Sequence, residues 1–269
     1  MPDGFSQRII YIIQNYWLSF LKGAGVTMVI AVISTAFGCL IGFAVGIVQS
    51  IPINKNEHIV KRILLKTVRF ILGAYVEIFR GTPMMVQSMF IYYGIPLIFG
   101  IHLEMWPAAL IIVSVNTGAY MAETVRGGIL SIDKGQTEGA KAIGMTHFQT
   151  MVNVILPQAL RNIIPQIGNN LIINIKDTCV LSVIGTIELF YTTKGIAGAY
   201  YTYFESFTIT MVIYFILTFA CSRLLRIWEN KLEGAETYDL ATTDTLAHTS
   251  GLAGIPKNLV EEYDNRESL

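Results

Sequence analysis

Long apolar runs alternate with short polar stretches along this chain, and the lengths of the runs predict membrane-spanning helices. A bilayer core takes about 20 apolar residues per helix. Residues 24–50 carry no charge and form the clearest span. Residues 81–103 are a second uncharged stretch, preceded by the mixed segment 63–80. Residues 105–122 are a third and residues 207–222 the last. Between these two lies an apolar stretch over 162–187, interrupted by Lys176-Asp177-Thr178 and weakened by Pro165 and Gly168. One interrupted span fits it better than two complete ones. The pattern therefore predicts an all-α polytopic membrane protein with five transmembrane helices.

The ends differ. Phe5, Ile9, Ile12, Ile13, Trp17 and Phe20 recur at helical spacing, which predicts a helix along the membrane surface over residues 1–23. No compact basic-then-apolar start suggests a cleavable signal. The transmembrane domain then runs over 24–232. The tail 233–269 is polar and reads as a flexible extension. Ser34, Gly38, Gly42 and Gly46 place four small residues on one face of the first span, a spacing that permits close helix contact in lipid.

The polar stretch 131–157 is unusually punctuated for a loop, and is expected to hold a pair of short helices. Ser131 and Asp133 suit the N-cap of a first helix, with Gln136 three residues after Asp133 as a capping box requires. Gly144 can end that helix in the left-handed conformation. Thr146 and Gln149 repeat the capping pattern for a second helix, and Pro157 limits its undistorted length. Such a loop suits docking.

Charge sets the direction. Lys55, Lys61, Arg62, Lys66 and Arg69 follow the first span; Arg126, Lys134, Lys141 and Arg161 surround the loop; Arg223, Arg226 and Lys231 follow the last span. By the positive-inside rule the loop and C-terminus are cytoplasmic and the N-terminus is outside. With 53% hydrophobic and 14% charged residues and a mean hydropathy of +0.53, the chain is far from soluble averages. Zero net charge argues against nucleic acid as a partner. Cys39, Cys179, Cys221 and the four histidines show no metal spacing, and no phosphate-binding loop or nucleophile–base set occurs. The composition points to a membrane protein, and the missing motifs argue against catalysis.

Charged and polar groups within apolar runs are the candidates for a substrate pathway. Asp177, at an interruption, either contacts a cationic substrate group or pairs with Lys176; Thr178 adjoins both. Glu123 and Arg126 are spaced for a local ion pair. Asn116 lies deeper on the same helix. Gly81-Thr82-Pro83 reads as a break, with Gln87 one turn beyond it.

Glu138, Gly139, Ala140, Gly144, Ile155 and Pro157 resemble the E-A-A, G, I-x-L-P signature of permease subunits of ABC importers, with Gly in place of the usual alanine at 139. Phe79-Arg-Gly-Thr-Pro83 with Gln87, the run from Gly118 to Ile129, Leu156 to Arg161 and Lys176 to Thr178 resemble the polar amino acid (histidine and glutamine permease-like) subfamily. The resemblance covers residues 15–232. It implies a type I ABC importer permease fold in the inner membrane, paired with a second permease subunit as homo- or heterodimer. It further implies cytoplasmic ATPase subunits that hold ATP and Mg, an external substrate-binding protein and an amino acid substrate, with no cofactor on this chain. The loop residues would then transmit ATPase movement to the spans, with Glu138 the polar contact and Ala140 and Gly144 close-packing positions. The competing reading is an ATP-independent channel or ion-coupled transporter, which an interrupted span carrying a carboxylate would suit. The capped cytoplasmic loop speaks against it, since such proteins have no ATPase to engage.

Overall fold

A computed structural model describes residue 2 and residues 4–53 and 58–233 of the chain; every regular element among them is helical. In chain order these are α1 (Phe5–Ser50), α2 (Ile59–Gly81), α3 (Met84–Phe99), α4 (Met105–Leu130), α5 (Lys134–Ala142), α6 (His147–Ile184), α7 (Leu189–Tyr200) and α8 (Tyr203–Glu233). Lys55 and residues 234–269 lie outside the described residues, so nothing here bears on the expected tail.

The expected small-residue face organises the bundle. Gly38 lies so close to Thr117 on α4 that an added Cβ would sit 2.6 Å from that side chain. Gly42 lies against Met121 and Gly46 against Val125, while the Ser34 hydroxyl donates to the Leu110 carbonyl at 3.3 Å. Residue numbers rise together on both helices, so α1 and α4 run parallel. Without a hydrophobic drive between helices in lipid, this close backbone approach supplies the dispersion contacts that hold them. Helix α4 is the hub: Ala108, Ala109, Ile112 and Val113 pack with Ile30 and Leu181 at one end. Met121, Val125 and Ile129 pack with Ile155, Ala159 and Ile163 of the antiparallel α6 at the other.

Two expectations need correction. Residues 5–23 do not form a separate element, since α1 continues unbroken through 46 residues. Gly23, Ala24 and Thr27 are buried at the join, with Gly23 against Leu189 of α7. The break expected at Gly81-Thr82-Pro83 is present. The chain is helical before the break (α2) and after it (α3), with Thr82 and Pro83 in extended conformation between them. The Lys176-Asp177-Thr178 interruption is a tightening, not a break, because α6 passes into a 3-10 turn over Thr178–Ile184. The true bend comes at 185–188, where Gly185 adopts φ +86° and α7 leaves at 55°.

Three helices among the described residues are long and apolar enough to cross a bilayer, four if α6 and α7 count as one bent span. The expected five is not reached on length and composition. Helix α2 carries Lys61, Arg62, Lys66, Arg69, Glu77 and Arg80, which lower its hydropathy, and α3 is short.

Two prolines inside helices, Pro96 and Pro157, are accommodated by widening the helix. Five-residue π turns at Phe90–Gly94 and Met151–Ile155 each end two residues before a proline, Pro96 and Pro157. The wider turn makes room for a ring that would otherwise clash with the preceding turn. Pro157 thus leaves α6 running from the loop into the bundle.

Candidate functional site

The loop between α4 and α6 is built from local capping chemistry. The Asp133 carboxylate accepts the Gly135 N–H at 2.7 Å and starts α5. The capping box expected with Gln136 does not form, because the Gln136 carboxamide oxygen accepts from Gln158 on α6 instead, at 3.3 Å. At the other end Gly144 has φ +85°; its N–H donates to the Lys141 carbonyl and the Met145 N–H to that of Ala140. That pair of bonds closes the helix in a Schellman motif, which needs the left-handed residue. Thr146 and Gln149 form the reciprocal capping box at the start of α6.

The coupling candidates divide by exposure. Glu138 and Gly139 are exposed on α5, and a Cβ added at Gly139 would touch nothing in the chain. Pro157 is exposed too. Ala140 and Ile155 are buried, Ile155 against Ile129 and Ala159, so they anchor the loop to the bundle. Two exposed residues escaped the sequence reading: Ile143 at 80% and Phe148 at 74% exposure. Their signal was present, as large apolar side chains in a polar loop.

The pathway candidates fall into separate places. Gln87 and Asn116 meet: the Asn116 Nδ2 donates to Gln87 Oε1 at 2.9 Å, and both side chains are buried. Glu123 accepts from Arg126 at 2.5 Å and lies 3.8 Å from Arg80 of α2, whose guanidinium also stands over the Tyr120 ring. The local ion pair is therefore part of a three-charge cluster. Lys176 and Asp177 are exposed on α6 and form no ion pair with each other, while Thr178 is buried with its hydroxyl on the Ile175 carbonyl. One turn before Thr178, the buried Asn174 donates to Thr35 of α1 at 2.7 Å and to Thr117 of α4 at 2.9 Å. Asn174 was missed in the sequence because its partners lie on other helices. Glu188 was missed as well. It is fully buried, caps α7 through the Phe190 and Tyr191 N–H groups, and accepts the Tyr214 hydroxyl of α8 at 2.9 Å. It is the sole acid between 178 and 204, which is the signal that could have found it.

An apolar cleft of about 570 Å³ between α1 and α8, lined by Ile9, Trp17, Phe20 and Ile213 among others, contains none of these polar residues. No group of His, Cys, Asp and Glu among the described residues could hold a metal ion.

The arrangement is a helical membrane bundle with polar groups inside and a rigid capped loop at one end. Residues 59–234 match the family described as binding-protein-dependent transport system inner membrane component. The chain belongs to that family. It is a permease subunit of an ABC importer, a transport component and not an enzyme. The putative glutamine transport system permease protein GlnP of Rickettsia bellii is 34% identical over 85% of this chain and 95% of its own length. The glutamine transport system permease protein GlnP of Escherichia coli K12 is 35% identical over 79% of this chain and 92% of its own. A crystal structure of an amino acid ABC transporter with histidines superposes with a TM-score of 0.73 at 32% identity, covering 86% of this permease and all of that chain. An inward-facing methionine transporter, MetNI, shares the fold at TM-score 0.59 and 22% identity. The ATP-independent alternative is not favoured by these relatives.

Proposed function

We propose that this permease carries a polar amino acid across the inner membrane, driven by ATP hydrolysis on a separate ATPase subunit. The observation that carries the reading is the exposed, locally capped loop that leads without a helix break into α6. A push on Glu138, Ile143 or Phe148 reaches the bundle through the α5–α6 contact and the buried Ile155. The relatives named for glutamine transport and for an amino acid transporter support the substrate class.

In this proposal the five crossings are α1, the jointed pair α2–α3, α4, α6 with α7, and α8. The basic residues Lys61, Arg62, Lys66 and Arg69 at the start of α2, with those around the loop, put the loop and C-terminus in the cytoplasm and the N-terminus outside. A second permease subunit and an external binding protein complete the assembly. Glu138 and Gly139 present the contact to the ATPase, Gly144 allows the turn, and Ala140, Ile155 and Pro157 hold the loop on α6. Substrate passes Asp177 and Lys176, which are exposed, and Glu123, which is half-buried beside Arg126 and Arg80. Movement of the two loops together rocks the spans between inward- and outward-facing states.

The test is uptake of labelled amino acids into liposomes holding the complete complex, with and without internal ATP. Uptake should require ATP. Glu138→Arg should lower it about a hundred-fold by placing like charge or steric bulk at a matched contact. Its thermal unfolding should not change, since Glu138 is exposed. Uptake without ATP would refute the importer reading, and normal uptake by the variant would remove Glu138 from the coupling role.

A further inference from the structure

The break between α2 and α3 leaves backbone carbonyls without donors in the middle of the bundle. Pro83 has no N–H, so the Phe79 carbonyl four residues earlier loses the donor that a continuing helix would supply. Thr82, at the end of α2, has an orphan carbonyl of the same kind. Asn116 stands near the middle of α4, and this is where the break sits. An open carbonyl at membrane depth requires a protein donor.

One side chain supplies most of what is missing. Gln87 Nε2 donates toward the Phe79 carbonyl at 2.9 Å, the Thr82 carbonyl at 2.9 Å and Thr82 Oγ1 at 2.8 Å. The Thr82 hydroxyl spends its own proton on the Ile78 carbonyl, so it meets Gln87 as an acceptor. Three acceptors around one end of the carboxamide fix which end is nitrogen. The oxygen end accepts from Asn116, whose Nδ2 also reaches the Phe79 carbonyl at 3.3 Å. Gln87 is 7% exposed and both ends of its amide are engaged.

We infer that Gln87 is a positioning residue, which with Asn116 clasps the joint at 81–83 and sets the angle between α2 and α3. The joint has little else to hold it: Gly81 is open on all sides, Thr82 and Pro83 are extended, and no helical bond crosses them. Beyond it, α3 packs through Met84, Ile91 and Tyr92 on the cluster of Ile30, Ile112 and Leu181. The clasp thus keeps the α3 half of the crossing on α4 and α6, while the α2 half packs on α4 and α1 through Val76 and Tyr75. This rests on the alternating-access reading for its use, but its geometry can be tested apart from transport.

The experiment uses the complete complex in nanodiscs, with spin labels at Ile71 and Leu97, both exposed and on opposite sides of the joint. Labelled permease is diluted with unlabelled copies so that distances within one chain dominate. Gln87→Ala and Gln87→Glu should both broaden the distance distribution. Both should lower ATP-driven uptake about ten-fold with an unchanged KM. The glutamate variant decides the matter, because a carboxylate has no N–H to share among these acceptors, whereas a contact to a substrate ammonium would be kept or strengthened by it. A narrow distribution in Gln87→Glu, or a lowered KM, would overturn the inference. If either variant fails to insert, Gln87→Met keeps the bulk without the amide; broadening there supports the clasp and an unchanged distribution refutes it. If the complex transports no amino acid, the distance measurement still stands, so failure of the transport reading and failure of the clasp are separable.

Discussion

The loop over 131–157 and the polar middle of the bundle both interrupt helices beside prolines, yet they are tied in opposite ways. In the loop the bonds that stop and start helices join near neighbours: Asp133 to Gly135, Ala140 to Met145, Thr146 to Gln149. In the middle they join distant residues: Gln87 to Asn116, Asn174 to Thr117 and to Thr35. The loop turns large apolar side chains outward, as Ile143 and Phe148 show, while the middle turns carboxamides and hydroxyls inward. A segment held by its own short-range bonds keeps its shape when pushed, which suits a lever. A region held by bonds between helices changes its bonds whenever helices shift, which suits the part that is moved.

The comparison breaks first at Asn174. If the middle holds the bundle together, Asn174→Ala removes the shared partner of two buried hydroxyls and should cost about 1–3 kcal/mol. It should lower the thermal midpoint of the purified permease measured at a fixed scan rate. Thr35 and Thr117 can recover part of this by turning to the carbonyls one turn back, which sets the lower end of the range. An unchanged midpoint would mean that the interhelical bonds carry no stability, and the contrast would fail.

Gly144→Ala probes the loop from the other side. The space around Gly144 is open, so the variant meets no clash; its cost is the left-handed conformation at φ +85°, about 1–2 kcal/mol. Because the motif is local, hydrogen exchange at the Gly144 and Met145 amides should quicken while the global midpoint stays within error. A global drop as large as that of Asn174→Ala would show that the loop is coupled to folding, not merely attached to it.

The same division explains what could be read from the chain alone. Caps, the left-handed glycine and the ladder of Ser34, Gly38, Gly42 and Gly46 are fixed by spacings of two to four residues, which a sequence displays directly. Gly81-Thr82-Pro83 was legible as a break for that reason. The residue that closes the break was not, since the partner of Gln87 on α4 is set by packing. The capping box at Asp133 failed on the same ground: Gln136 had a rival partner on α6, brought near only by the fold. The helix before the joint was hidden by the charges on α2, whose pattern reads as a loop-side segment when judged by hydropathy. Of the pathway candidates, Gln87 and Asn116 were each legible as polar residues in apolar runs. That they bind each other needed coordinates.

The finest test lies at Thr146. Its hydroxyl accepts the Gln149 N–H at 3.3 Å, and the Gln149 side chain returns the favour to the Thr146 N–H at 2.9 Å. Thr146→Ala removes one arm of this box and should cost about 1 kcal/mol of local stability. The first turn of α6 would then fray, loosening the exposed Phe148. Hydrogen exchange at Phe148, Gln149 and Thr150 should rise, with the π turn at Met151–Ile155 unaffected because Ile155 is buried against Ile129. If protection were lost through Ile155 as well, the capped turn and the bundle would be one cooperative unit. A push on the loop would then be spent in melting α6, not in moving it.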